Sequence, residues 1–240
     1  MNLLIYNTQP ELFEDLVDYI AAIAKKAISD NGRFNFVLTG GNSPKALYEL
    51  LATTYKDKID WSKVYFFFGD ERNVMPDHES YNGLMAKRAI LDPLNISADH
   101  IFYVDTTLAP EKAAIEYTKA ISAHFNNSDP VFDLILLGMG DDAHTASLFP
   151  GTTILKSREV EADSVYVEKL STYRISLTAP LINKASNIAF LVFGEGKAEA
   201  AKHVLEGEKN INLYPAQLIK PIDGQVTWFM DSAAAALLDN

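Results

Sequence analysis

Short apolar runs alternate along this chain with longer segments of helical periodicity, and this alternation constrains the fold more than any other feature of the sequence. Two parallel strands need a crossover between them, usually a helix. Repeated alternation therefore predicts a mostly parallel, doubly wound sheet with helices on both faces. The pattern predicts strands at 3–6, 34–38, 64–68, 132–137, 165–167, 174–177, 188–193 and 226–229, and helices at 12–28, 45–51, 81–91, 111–125 and 197–205.

The region 160–178 departs from this alternation, because two strand-like runs follow each other there without a helix between them. We expect these runs to form a few antiparallel strands beside the parallel sheet. The chain has no internal repeat, no Gly/Ser linker and no long run of like charge. We therefore expect one large α/β domain over residues 1–240.

Composition limits the classes of partner and the compartment. Lys and Arg number 21 against 32 Asp and Glu, and the net charge of −11 argues against nucleic acid or an anionic membrane as the main partner. The absence of cysteine excludes disulfides, zinc-thiolate sites and thiol nucleophiles, and it suits a reducing cytosol. The start of the chain lacks the basic segment of a signal peptide, and no apolar run approaches the ~18 residues of a membrane span. We expect a cytoplasmic protein, a monomer or small homo-oligomer, that acts on a small molecule.

Ligands of such sheets bind outside the carboxyl ends of the strands, and the first segment placed there is 39–45, TGGNSPK. Its glycines allow a ligand to approach the backbone, Ser43 is predicted as the helix N-cap, and Pro44 as the first helical residue. Amide N–H groups at this helix start can bind a phosphate, although an ordinary strand-to-helix turn contains the same residue types. The candidate phosphate contacts in this loop are Gly40, Gly41, Asn42 and Ser43.

Three further segments carry charged or titratable groups just after strands. Arg72, in the GDER segment, has a guanidinium suited to phosphate or carboxylate, with a salt bridge inside the loop as the alternative. His144, in GMGDDAHTASLFPG, stands where a general base is expected. Lys197, in GEGKA, is predicted in the first turn of a helix, where a cation opposes the helix dipole unless an anion lies beside it.

Several common motifs for cofactor binding and for catalysis are missing from the sequence. Neither the G-x-G-x-x-G dinucleotide motif nor the G-x-x-x-x-G-K-[ST] phosphate loop is present. No two histidines have metal-ligand spacing, and the G-x-S-x-G elbow of α/β-hydrolases does not occur. We therefore expect neither a zinc site nor a nucleotide cofactor.

Taken together and in this order, these segments resemble the 6-phosphogluconolactonase family, within the glucosamine-6-phosphate isomerase/6-phosphogluconolactonase superfamily. The resemblance covers essentially the whole chain. Two departures from the family pattern concern the site. Ser43 stands where the family more often has Thr, and Ala143 stands where Gly is usual. The Cβ of Ala143 disfavours a positive φ at this residue, directly before His144. The segments that carry the resemblance are VLTGGNSPKALYELLA, FFFGDERNVMPDHESYN, LLGMGDDAHTASLFPG, RISLTAPLINKA, VFGEGKAEAAKHVL, YPAQLI and DGQVTWFMD.

The resemblance implies hydrolysis of 6-phospho-D-glucono-1,5-lactone to 6-phosphogluconate, the second step of the oxidative pentose phosphate pathway. It implies that His144 is the base that activates water, while either Asp70 or Asp142 orients His144 or binds the sugar hydroxyls. The implied phosphate and sugar contacts are Arg72, Arg174, Lys197 and the 40–43 loop.

Two other functions remain open on the sequence. A glucosamine-6-phosphate deaminase or isomerase would share the fold, but the related deaminases carry a glutamate at the position of Phe149, which cannot titrate. A non-catalytic sugar-phosphate sensor would need an output module, and this sequence shows neither an added helix-turn-helix nor a basic DNA-facing patch.

Overall fold

The structure, a computed structural model, describes residues 1–239, and Asn240, the last residue of the predicted domain, lies outside the described residues. Nine strands are β1 (Asn2–Tyr6), β2 (Phe34–Leu38), β3 (Val64–Phe68), β4 (Asp70–Arg72), β5 (Leu134–Leu137), β6 (Ala162–Val167), β7 (Thr172–Leu177), β8 (Asn187–Val192) and β9 (Gln225–Asp231). The α-helices are α1 (Gln9–Asn31), α2 (Asn42–Ala52), α3 (Asn82–Ala86), α4 (Pro110–His124), α5 (Ala179–Ile182) and α6 (Ala198–Leu205).

Six parallel strands form the main sheet, in the spatial order β1-β9-β8-β5-β2-β3. Its central strands are largely apolar because both faces are covered. On one face Phe36 packs in a core with Leu16 of α1 and Leu47 of α2, whereas on the other Val37 packs with Tyr117 of α4. Alternate side chains of one strand thus enter different cores. The predicted doubly wound α/β fold is confirmed.

The predicted antiparallel strands are confirmed in a second sheet of order β4-β7-β6. Its edge strand β4 was not predicted, because Asp70-Glu71-Arg72 is a fully charged triplet that favours a loop. The triplet is extended because it pairs with β7, with Arg72 opposite Arg174. This pairing carries the chain directly from the end of β3 into the second sheet.

The ends of two helices show where local capping decides the structure and where it does not. The first helix begins with a capping box, in which the Thr8 hydroxyl accepts from the Glu11 N–H and the Glu11 carboxylate accepts from the Thr8 N–H. The predicted N-cap at Ser43 is wrong: α2 begins at Asn42, and Gly41 is the N-cap with a φ of 116°. Pro44 is consequently the third helical residue, a position whose N–H needs no partner within the helix.

Two other predicted helices differ in detail. The predicted helix at 81–91 consists of α3 followed by a π-helical turn at Lys87–Leu91. The placement of Lys197 inside the last helix is wrong by one residue, because Glu195–Lys197 is a 3-10 turn and Lys197 is the N-cap of α6. Among residues 1–239, no helix combines the length and the apolar character that crossing a membrane requires.

Candidate active site

The order of the main sheet brings four loops together at one edge. Strands β8, β5, β2 and β3 are neighbours and run parallel, so their carboxyl ends lie side by side. The segments that follow them, with β7 and the turn before it, line a cavity of about 390 Å³. Its size and position suit a small-molecule ligand.

This cavity is lined by most of the candidate residues, although they come from distant parts of the chain. Gly41, Asn42 and Ser43 do not line it, so only the first residue of the predicted 40–43 loop faces the ligand space. The candidates that do line it are Gly40, Asp70, Arg72, Asp142, His144, Arg174 and Lys197.

A histidine–aspartate pair forms one wall of the cavity. His144 Nδ1 lies 2.5 Å from Asp142 Oδ1, and Nε2 makes no hydrogen bond to any residue from 1 to 239. The Asp142 carboxylate therefore accepts from Nδ1–H and leaves Nε2 as the basic nitrogen. Of the two carboxylates left open by the sequence, Asp142 is the one that contacts His144.

The loop around His144 is held by packing and by an unusual backbone conformation. The ring of Phe149 stacks on the imidazole, with centroids 4.0 Å apart and planes 19° from parallel. Ala143, where the resembled family has Gly, is fully buried with a φ of 59°. Its Cβ costs the left-handed conformation about 1 kcal/mol, yet the turn forms. The Gly140 N–H donates to the His144 carbonyl at 2.8 Å and closes the turn.

Asp70 faces the same cavity but has different partners. Its carboxylate accepts a 2.6 Å hydrogen bond from the Ser147 hydroxyl, and its backbone carbonyl accepts from the Asn82 amide at 3.0 Å. Asp70 is buried, with only 7% of its surface exposed, and it lines the cavity. A carboxylate held in this way suits a hydrogen bond from a substrate hydroxyl.

Two guanidinium groups meet across the second sheet. Arg72 and Arg174 are opposite residues of β4 and β7, and neither forms a salt bridge within residues 1–239. Their Nε atoms are both buried without a hydrogen-bond partner. Burial lowers the pKa of Arg174, Asp70 raises it, and the neighbouring Arg72 lowers it further. Like charges opposite each other destabilise a sheet, so this pair is suited to an anionic ligand.

Lys197 is a third cation without a protein counter-ion. It lines the cavity from the N-terminus of α6, and none of the salt bridges in the described chain includes it. The positive end of the helix dipole and the ammonium charge add at this point. An anion placed there would relieve both.

Two buried tyrosines, which the sequence did not reveal, fix the strand ends beside the cavity. The Tyr48 hydroxyl accepts from the Thr39 N–H and donates to the Thr39 carbonyl, each at 2.9 Å. Tyr117 makes the same pair of bonds to Phe68, at 2.7 and 2.9 Å. A tyrosine hydroxyl thus binds both backbone groups of one residue at the carboxyl end of β2 and of β3. The spacing of these tyrosines along their helices predicts only a core position for each.

Asn82 is a second residue that the sequence analysis left without a role. A Cβ added at Gly40 would lie 2.0 Å from Asn82 Oδ1, so only glycine allows this close approach. Both oxygens of Glu71 cap the start of α3, accepting from the N–H groups of Asn82 and Gly83 at 2.7 and 2.8 Å. Burial raises the pKa of Glu71 to about 8, and the backbone donors of Asn82, Arg72 and Gly83 oppose that rise. Glu71 therefore supports the loop and does not line the cavity.

The chain matches a family model described as "Glucosamine-6-phosphate isomerases/6-phosphogluconolactonase" over residues 7–228. It belongs to this family. A 6-phosphogluconolactonase of Nostoc sp. is 40% identical over 96% of this chain and 95% of that protein. A probable 6-phosphogluconolactonase of Arabidopsis thaliana is 37% identical, covering 98% and 92%. The structure of 6-phosphogluconolactonase from Trypanosoma brucei superposes with a TM-score of 0.85 and 26% identity, covering 99% of this chain and 98% of that one. Membership of this family confirms the resemblance found in the sequence.

Proposed function

We propose that this chain hydrolyses 6-phospho-D-glucono-1,5-lactone to 6-phospho-D-gluconate, in the oxidative branch of the pentose phosphate pathway. The observation that carries the proposal is one cavity in which three cations without salt bridges face a histidine–aspartate pair. Such a cavity offers a base for water and a hold for a distant phosphate. The curated relatives named 6-phosphogluconolactonase support the same activity.

The chemical step follows from the free nitrogen of His144. We expect Nε2 to accept a proton from water as the water oxygen bonds to the lactone carbonyl carbon, while Asp142 stabilises the imidazolium that forms. The tetrahedral intermediate then collapses, the bond from the former carbonyl carbon to the ring oxygen breaks, and His144 returns the proton to that oxygen. The product is an open-chain carboxylic acid, which loses its remaining proton to solvent and becomes the carboxylate. The base contributes on the order of 10²- to 10⁴-fold in rate.

The remaining lining residues hold the substrate on both sides of this centre. Lys197, Arg72 and Arg174 are the proposed phosphate contacts, because none of them forms a salt bridge within residues 1–239. Asp70 and the backbone at Gly40 are the proposed contacts for sugar hydroxyls. We propose that the enzyme acts in the cytoplasm, which the absence of cysteine supports.

The stacked ring of Phe149 favours the lactonase over the deaminase within this family. Deamination with isomerisation needs additional proton transfers, whereas Phe149 is apolar, 7% exposed and in contact with His144. Lactone hydrolysis needs one base and one returned proton. The site therefore has the groups for the simpler reaction.

An assay with freshly made 6-phosphogluconolactone tests this function. Consumption of the lactone, corrected for spontaneous hydrolysis, is expected to accelerate in proportion to enzyme concentration. Glucosamine 6-phosphate, assayed in parallel for ammonia release, is expected to remain unchanged. Ammonia release without lactone hydrolysis would assign the deaminase activity, and binding without turnover of either compound would assign a sensor.

Activity is expected to survive EDTA. Among residues 1–239, no group of three or more His, Asp or Glu side chains is arranged to hold a metal ion. The measurement is kcat before and after dialysis against the chelator, with added Mg²⁺ and Zn²⁺ in separate samples. A loss that a divalent ion restores would contradict this prediction.

Lys197→Ala is expected to raise KM for the phosphorylated lactone at least tenfold while leaving the apo protein equally or slightly more stable. Removing a cation from a helix N-terminus relieves about 0.3–1 kcal/mol of dipole repulsion, whereas the substrate loses a charged partner. Apo melting temperature and KM are measured together, with unphosphorylated gluconolactone as a substrate control. Lys45→Ala, at a cation in the first turns of α2 that pairs with Glu49 outside the cavity, is the matched variant. A lower melting temperature with unchanged KM would make Lys197 a structural residue.

A further inference from the structure

A lysine from the second sheet reaches the histidine–aspartate pair from outside the main sheet. Lys169 lies in the short turn at Glu168–Leu170, between β6 and β7. Its Nζ is 3.1 Å from Oδ2 of Asp142, while Oδ1 of the same carboxylate contacts His144. The Asp142 carboxylate therefore connects His144 with Lys169, and each of its oxygens has a different side-chain partner.

The same lysine separates two hollows on the surface. Beside the candidate active-site cavity lies a groove of about 740 Å³, lined in part by Thr152, Tyr166 and Glu168. The cavity and the groove share only three lining residues, which are Asp142, Phe149 and Lys169. The Lys169–Asp142 ion pair and the Phe149 ring thus form the partition between the substrate space and an open, water-accessible groove.

We propose that Lys169 is a positioning residue for His144: it holds the second oxygen of Asp142, fixes the carboxylate in its contact with Nδ1, and closes the cavity on that side. This inference rests on the proposed lactonase function. Both oxygens of a carboxylate must be held to prevent its rotation about the Cβ–Cγ bond. His144 holds one, and Lys169 is the side chain that holds the other.

Charge strengthens this arrangement. Burial raises the pKa of Asp142, but the hydrogen bonds from His144 and Lys169 outweigh it and hold that pKa well below its usual range. The other charged side chains facing this cavity are Asp70, Arg72, Asp141, Arg174 and Lys197. None of them makes a hydrogen bond to Asp142 within the described chain.

Folding stability does not account for the ion pair. The side chain of Lys169 is 66% exposed, and ion pairs of that exposure contribute little to stability. Because Asp142 also contacts His144, the Lys169–Asp142 ion pair is better explained by a role in positioning His144.

The test compares Lys169→Met and Lys169→Arg with the wild type. Methionine keeps the length of the side chain but removes the charge, so kcat is expected to fall about 10-fold with KM changed less than about twofold. Lys169→Arg keeps a cation at this position and is expected to restore most of kcat.

Lys119→Met is the matched control. Lys119 has the same 66% exposure and also forms one ion pair, with Glu116 at 2.9 Å, but lies on α4 away from the cavity. Its kcat and KM are expected to equal those of the wild type.

The outcomes separate this inference from the function on which it rests. A wild type without lactonase activity overturns the proposed function itself. If the wild type is active, the inference is overturned when Lys169→Met raises KM at unchanged kcat, which marks a substrate contact. It is also overturned when Lys169→Met leaves kcat unchanged or when arginine fails to restore kcat. A fall in kcat at nearly unchanged KM, reversed by arginine, supports it.

Discussion

His144→Ala is expected to lower kcat for 6-phosphogluconolactone by at least ~10²-fold, with little change in folding stability. The variant loses the nitrogen that accepts the proton from water, whereas Lys197, Arg72 and Arg174 remain to hold the phosphate. KM is therefore expected to stay within about threefold of the wild-type value. His144→Asn keeps a polar side chain of similar width and is expected to show the same loss.

The control for this prediction is another histidine with an aromatic neighbour. His100 stacks on Tyr65 with centroids 4.0 Å apart and contacts the Val64 carbonyl at the amino end of β3, the end opposite the cavity. His100→Asn is expected to lower the melting temperature without changing kcat. Near-normal kcat in either His144 variant, after correction for spontaneous hydrolysis, would remove His144 from the proposed mechanism.

Patterns within a short stretch of chain predict most of this fold, and pairing between distant stretches accounts for the errors. The β2 strand at Phe34–Leu38 and the β3 strand at Val64–Phe68 were predicted with their observed bounds, because each is a short and largely apolar run. The β4 strand was missed because three charged residues are extended only through their hydrogen bonds to β7. The N-cap of α2 was misplaced because Gly41 begins that helix without any side-chain hydrogen bond.

The candidate site follows a similar division. The position of His144 after a buried strand is visible in the sequence, but its partner is not, since Asp70 and Asp142 both follow a buried strand at the same sheet edge. The tight turn decides it: Asp142 is two residues before His144, and the left-handed conformation at Ala143 brings their side chains together. Lys169 could not be predicted because its contact depends on where the second sheet packs. A turn residue in a hairpin carries no local sign of this.

A second large effect is expected where the turn before His144 leaves no space for a side chain. Gly140→Ala is expected to lower kcat by ~10²-fold or more, although residue 140 has no chemical role. An added Cβ would lie 2.0 Å from His144 Nδ1 and 2.7 Å from Asp142 Oδ1, so the imidazole and the carboxylate must separate. Displacement of catalytic groups by about 1 Å costs on the order of 10²-fold in rate.

Gly138→Ala provides the comparison, because it adds the same methyl group to the same loop. No heavy atom lies within 4 Å of a Cβ at Gly138, so this variant is expected to keep at least about a third of wild-type kcat. Both variants are expected to melt within a few degrees of the wild type, since His144 is partly exposed and its ring can move into the cavity. The loss of kcat in Gly140→Ala is therefore attributed to displacement of His144 from Asp142 and not to unfolding. If both alanine variants retain equal kcat, contact between Asp142 and His144 is not required for the reaction.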